Sequence, residues 1–131
     1  MSYHARAGIV IYAKNVARVS AFYAGVVGLE VAHAEEGHVV LESPMFQLVI
    51  VAVPEHVAAS IELSTPPIRR EDTPIKPVFF VESIEAARVL APHLGGELNP
   101  IEGEWKFQEH RVCDGHGPEG NVVQFREDAK D

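Results

Sequence analysis

Little in this chain is available for covalent or cofactor chemistry. Cys113 is the one cysteine among 131 residues, so no disulfide can close within the chain and a reducing cytoplasm is the expected setting. The expected role of Cys113 is a small buried residue on a strand. No cysteine pair, no His-x-x-x-His helix and no phosphate-binding glycine loop occurs. Gly115, Gly117 and Gly120 read as turn residues and do not open a helix, as a nucleotide fingerprint requires. No apolar run approaches the roughly 20 residues of a membrane span, and the stretch Ala7 to Ala13 is too short and wrongly flanked for a signal peptide. Basic residues are few: 11 Lys and Arg against 19 Asp and Glu, a formal net charge of −8. Nucleic-acid affinity comes mainly from cationic contacts to phosphates, so nucleic acid is not an expected partner. The acidic balance favours neutral or cationic ligands through long-range attraction.

What the chain does contain is a repeat. With the sequence displaced by 68 residues, Val10-Ile11-Tyr12-Ala13-Lys14-Asn15-Val16 lies on Val78-Phe79-Phe80-Val81-Glu82-Ser83-Ile84, Phe22 lies on Leu90 and Gly28 on Gly96. Self-similarity at a fixed offset implies two fused copies of one unit. Each copy reads as a short apolar strand, a capping residue, an amphipathic helix and a glycine stop. Asn15 and Ser83 stand where a side-chain oxygen can accept from an orphan amide of the first turn. Val16, Val19, Phe22, Tyr23, Val26 and Val27 follow a helical stripe, as do Ile84, Ala87, Leu90, Ala91 and Leu94. Gly28 and the Gly95-Gly96 pair supply left-handed stops.

Three strands are expected after the first helix, at Leu29 to His33, His38 to Glu42 and Phe46 to Val53. Three more follow the second, at Glu97 to Ile101, Lys106 to Cys113 and Asn121 to Arg126. A short helix within Pro54 to Ile61 and a proline-rich linker over Ser64 to Pro77 complete the reading. At 47% hydrophobic, the chain can bury a core as one domain of two modules. The expected fold class is α+β: two tandem strand-helix-strand-strand-strand modules forming a curved mixed sheet around a cavity. Module one spans about 5–62, the linker about 63–74 and module two about 75–127.

Ala13-Lys14-Asn15, then Ser20-Ala21-Phe22-Tyr23 and Val26-Val27-Gly28-Leu29, resembles the first module of the glyoxalase/bleomycin-resistance/extradiol-dioxygenase superfamily, the vicinal-oxygen-chelate proteins. Asp114 through Pro118-Glu119-Gly120-Asn121-Val122-Val123 is similar to that family's closing D-P-x-G-N turn and last strand. The resemblance implies paired modules around a shared cavity, usually in a homodimer. In metal-dependent members, four His, Glu or Gln side chains from the first and last strands of each module meet a divalent ion. Carried over, those positions are Gly8, Ile50, Lys76 and Gln124. A divalent ion needs anionic oxygens, thiolates or imidazoles and is repelled by an ammonium, so no metal and no cofactor is expected there. Among the histidines, His4 lies roughly 13 Å along the strand from Gly8. His38 and Glu42 share a strand face, His110 and His116 flank a turn, and His33, His56 and His93 show no partner spacing.

The ligand-binding candidates are therefore Trp105, Phe107, Lys76, Gln124 and His110. Trp105 and Phe107 share a face of an extended segment. Rigid aromatic platforms bury much area at little entropic cost and can receive a cation. Lys76 can pair with an anion or, when desolvated, act as a base or Schiff-base amine, and Gln124 offers a neutral donor and acceptor. The leading expectation is a metal-free protein that binds a small aromatic or cationic molecule, as the drug-sequestering branch does. The alternative is an enzyme (lyase, isomerase or dioxygenase) with an atypical metal site or a metal-independent one built on Lys76 and His110. Neither a membrane nor a nucleic acid is expected as partner.

Overall fold

The computed structural model describes residues 4–128, which divide between Leu63 and Ser64 into two compact units. In the first unit β1 (Ala7–Ala13) leads into α1 (Val16–Phe22), followed by β2 (Glu30–Glu35), β3 (His38–Ser43), β4 (Phe46–Ala52) and the single-turn α2 (Glu55–Ala58). In the second, β5 (Val78–Val81) leads into α3 (Ile84–Leu90), then β6 (Glu97–Leu98), β7 (Trp105–Phe107), β8 (His110–His116) and β9 (Val122–Asp128). The two helices begin and end 68 residues apart, as the repeat requires. Both expected caps form: Asn15 accepts from the Arg18 amide and Ser83 from the Ala86 amide.

The copies diverge where their helices end. In module one the chain widens into a π turn at Tyr23–Val27 before Gly28, whose φ is 87°. In module two it tightens into a 3-10 turn at Ala91–Leu94 before Gly95, φ 88°. A π turn takes up an extra residue and a 3-10 turn sheds one. Gly95, rather than Gly96, is therefore the left-handed stop that corresponds to Gly28.

Each sheet is mixed. The first runs β1-β4-β3-β2 and the second β5-β9-β8-β6, with β7 also on β8; β1 and β4 are parallel, as are β5 and β9, and the other pairs are antiparallel. The tandem strand-helix-strand-strand-strand plan is thus as expected, but the sheets do not curl shut around a cavity. Both are open. Four or five short strands give too little accumulated twist and no edge-to-edge pairing that could close a barrel. Module two also carries one strand more than expected. Lys106 to Cys113 is a hairpin, turned at Gln108 and Glu109, whose φ values are 49° and 71°. Two successive left-handed residues make the turn favoured between twisted strands, and the absence of Asn or Gly there hid it from the sequence. Gly115 lies in β8, ahead of the Gly117–Gly120 turn.

Each core lies between a helix and one face of its own sheet. In unit one Val19, Phe22, Tyr23 and Val26 meet Ile11, Val39, Leu41, Leu48 and Ile50, all buried. In unit two Ile84, Ala87 and Ala91 meet Phe79, Cys113, Val123 and Phe125. Cys113 is thus the small buried strand residue expected, and burial pushes its thiol pKa up.

An ion-pair network ties unit two together. Arg88 donates to the Asn99 carbonyl (2.8 Å) and to Glu104, Arg111 donates to Glu104 (2.5 Å) and to Glu127 (3.2 Å), and Glu127 accepts from the Ile84 amide (2.6 Å). The loop before β7, strands β8 and β9 and the start of α3 are joined by these few side chains. No helix among the described residues is long and apolar enough to cross a membrane.

Candidate functional site

The face of the second sheet turned away from α3 gathers all five residues singled out from the sequence. Residues paired across strands share a face. Trp105 pairs with Val112, Phe107 with His110, and Val112 with Arg126, while Asp114 pairs with Gln124 and Gln124 with Val78. Trp105, Phe107, His110, Asp114, Gln124, Arg126 and Phe80 are therefore on one surface. Lys76, just ahead of β5, reaches the same surface, with Nζ donating to Asp114 Oδ2 at 2.8 Å.

A continuous polar chain crosses this surface. Asp114 accepts from Lys76 on one oxygen and from Gln124 Nε2 (3.2 Å) on the other, and Gln124 Oε1 accepts from Arg126 Nε at 2.8 Å. The Arg126 guanidinium lies 4.9 Å from the centre of the Phe107 ring and 6.0 Å from that of Phe80, both within cation–π range. His110 packs edge-on against Phe80 at 5.0 Å. Its Nδ1 lies 3.1 Å from Asp128 Oδ1. Trp105, Phe107 and Phe80 are 42%, 46% and 55% exposed, so the rings are presented rather than packed away. At the Lys76 end a polar pocket of about 200 Å³ is lined by Arg70, Glu71, Thr73, Ile75, Lys76, Asp114 and Val122. Asp114, Arg126 and Phe80 were missed in the sequence. Asp114 and Arg126 were findable, since residues paired with or two along from Gln124 must share its face.

The four positions that carry a metal in the metal-dependent members do not suit one here. A Cβ on Gly8 would stand 2.5 Å from the Gln47 carbonyl oxygen, so β1 and β4 approach too closely there for any ligand side chain without a backbone shift. Lys76 and Gln124 are engaged with Asp114. The fourth position is Val49 rather than Ile50: Val10 pairs with Val49 just as Val78 pairs with Gln124. Ile50 is fully buried on the α1 side. The expected position is off by one residue because the β3–β4 turn is shorter than the β8–β9 turn. Valine is no better a ligand than isoleucine.

His33, which shows no partner spacing in the sequence, has partners in the structure. Its Nε2 is 2.6 Å from Glu35 Oε1, and its ring centre is 5.6 Å from that of His38. The hydrogen bond from His33, then the charges of His33 and His38, hold the Glu35 carboxyl below the usual carboxylate range. Elsewhere in unit one, an apolar groove of about 520 Å³ lies between the small side chains Ala17, Ala21 and Ala24 of α1 and Val31, Ala34 and Val39 of the sheet.

No protein-family model matches the chain, and no curated protein matches it. Solved structures do. A glyoxalase/bleomycin resistance protein/dioxygenase family enzyme from Burkholderia phytofirmans superposes with a TM-score of 0.66 at 17% identity, covering 95% of this chain and 98% of that one. A glyoxalase/bleomycin resistance protein from Albidiferax ferrireducens gives 0.63 at 15%, covering 92% and 96%. A glyoxalase-related enzyme from Fulvimarina pelagi gives 0.62 at 13%, covering 93% and 86%. Identity this low speaks for the fold alone. Two strand-helix-strand-strand-strand modules in tandem, matched over nearly their whole length, give this chain the fold of the glyoxalase/bleomycin-resistance/dioxygenase superfamily, the vicinal-oxygen-chelate proteins.

Proposed function

We propose that the protein is an enzyme of the glyoxalase/bleomycin-resistance/dioxygenase type with an atypical centre, a lyase or isomerase acting on a small aromatic molecule that carries an acidic group. The observation that supports this reading is the polar chain Lys76–Asp114–Gln124–Arg126, which joins a polar pocket to three exposed aromatic rings on one sheet face. Trp105, Phe107 and Phe80 supply the platform for a flat ring. Arg126 has guanidinium donors beyond its bond to Gln124 and can fork onto a carboxylate. The Lys76–Asp114 pair can give and take a proton at the substrate, and Gln124 fixes the orientation of Asp114. Lys76 is neutralised by Asp114, so Arg126, set among Gln124 and two rings, is the cation that favours an anionic substituent over the cationic ligand that overall charge suggested.

A second reading is favoured by one detail. Both Asp114 oxygens are already bonded, which suits a rigid binding surface as well as a proton shuttle. The protein would then sequester its ligand unchanged, without a metal. A cytoplasmic setting belongs to both readings, as does a single two-module domain assembled as a homodimer. All six residues of the edge strand β2 are exposed, and such edges invite pairing. Light scattering is expected to report a dimer; a monomer at micromolar concentration would count against that assembly.

The functional test uses a panel of aromatic carboxylic acids, with Trp105 emission reporting binding and mass spectrometry reporting conversion. Binding is expected to quench the emission, with Trp105→Phe as the dark control. Arg126→Ala is expected to weaken binding by about 1–3 kcal/mol, the range of a substantial anchor. Asp114→Asn is expected to retain quenching and stop conversion. Ligand recovered unchanged from the native protein would establish sequestration. Binding indifferent to both Arg126→Ala and Lys76→Ala would remove the site from this face.

A further inference from the structure

The β2–β3 hairpin brings two imidazoles and a carboxylate together on one face. Glu35 pairs directly with His38, and His33 stands two residues before Glu35 on the same strand. Residues i and i+2 and the cross-strand partner of one of them are near neighbours on a sheet surface. Here their metal-binding atoms all lie within 4.8 Å of one another.

A strand irregularity creates this grouping. Val31 pairs with Leu41 and His33 with Val40, so the register shifts at Ala32. In a regular strand Val31, His33 and Glu35 would all face the same way. With the bulge, Val31 shares the face of buried Leu41 on the α1 side, while His33 and Glu35 turn to the opposite face with His38. Bulges are a recognised means of re-aiming side chains.

We propose that His33, Glu35 and His38 form a binding site for a divalent transition-metal ion of the zinc class. Imidazole with carboxylate suits zinc, cobalt, nickel or ferrous iron, whereas magnesium and calcium prefer all-oxygen sets. Ligand distances of about 2.0–2.2 Å would be reached by rotation of the exposed His33 and Glu35 side chains toward half-buried His38, the ion taking the place of the proton between His33 and Glu35. Three protein ligands leave a coordination position open to water or a small molecule. The ion would pin the edge strand β2 to β3 beside its bulge. The proposal is independent of the module-two ligand face, and none of its residues occupies a position used by the metal-dependent members of this fold.

The test is calorimetric titration of untagged, chelator-washed full-length protein with zinc chloride, with elemental analysis after gel filtration. Zinc is expected to bind at one ion per chain. Affinity is expected to fall about tenfold or more in each of His33→Ala, Glu35→Gln and His38→Ala, and to stay unchanged in His56→Ala and His93→Ala. The side chains of His33 and Glu35 are 53% and 59% exposed, so their replacement leaves the fold intact, which circular dichroism verifies. Absence of binding at micromolar zinc, or binding that survives the His33→Ala/His38→Ala double substitution, overturns the proposal. Zinc lost in Gln124→Ala and retained in His33→Ala would place it at the other centre and overturn it equally.

Discussion

Gly120→Ala is expected to lower stability by about 3 kcal/mol or more, read as a shift in the urea midpoint. Two costs combine. Gly120 has a φ of 87°, a left-handed conformation that costs a residue with a Cβ roughly 1–2 kcal/mol. An added Cβ would also stand 2.1 Å from the Ile68 carbonyl oxygen, and the segment bearing that carbonyl cannot simply retreat. The Arg70 amide donates to the Gly120 carbonyl at 2.8 Å, and Arg70 bridges Asn121. Gly28→Ala separates the two costs: its φ is also 87°, yet nothing lies within 4 Å of the added Cβ. It is expected to lose only the backbone part. Equal losses in the two variants would mean that the contact with Ile68 contributes nothing.

Glu104→Ala is expected to cost about 3 kcal/mol, the lower end for breaking a desolvated ion pair, because Arg111 is itself 38% exposed. Removing the carboxylate leaves Arg88 and Arg111 facing one another without a shared anion. Burial by itself raises the Glu104 pKa, but the hydrogen bonds and charges of Arg88 and Arg111 together outweigh it, and the net shift is downward. A depressed carboxyl contributes stability that is complete above its unfolded-state pKa and is lost as pH falls through the folded value. Native protein is therefore expected to lose stability from about pH 5 downward, and Glu104→Gln to show a shallower acid slope at a lower starting stability. Parallel slopes in the two proteins would exclude Glu104 as a source of the acid sensitivity.

The repeated part of the chain was legible because its signals are local. A cap followed by a 3.6-residue stripe defines each helix, and Asn15, Ser83, Val19 and Ala87 serve as their positions indicate. The shared face of Trp105, Phe107, Lys76, Gln124 and His110 was also within reach, since strand alternation fixes which side a residue takes. Three things were not. The Gln108-Glu109 turn uses residues that rarely adopt left-handed conformations. The Val49 register depends on comparing two turns of different length. The grouping of His33 with His38 arises from a bulge at Ala32, an alanine that carries no mark of irregularity. The last two are each a matter of one residue, and β structure converts a single residue into a change of face.

The π turn at Tyr23–Val27 bears on how this duplicated chain could diverge at all. A residue gained inside a strand reverses every side chain beyond it, exchanging core for surface. The same gain at the end of α1 is absorbed as a wider coil, and the chain still leaves through a left-handed glycine, Gly28, as its counterpart does at Gly95. The helix end thus acts as an expansion joint between the two copies. One residue of length difference is taken up there without any change of face, and the strands that follow remain free to specialise, one hairpin around histidines and the other around aromatic rings.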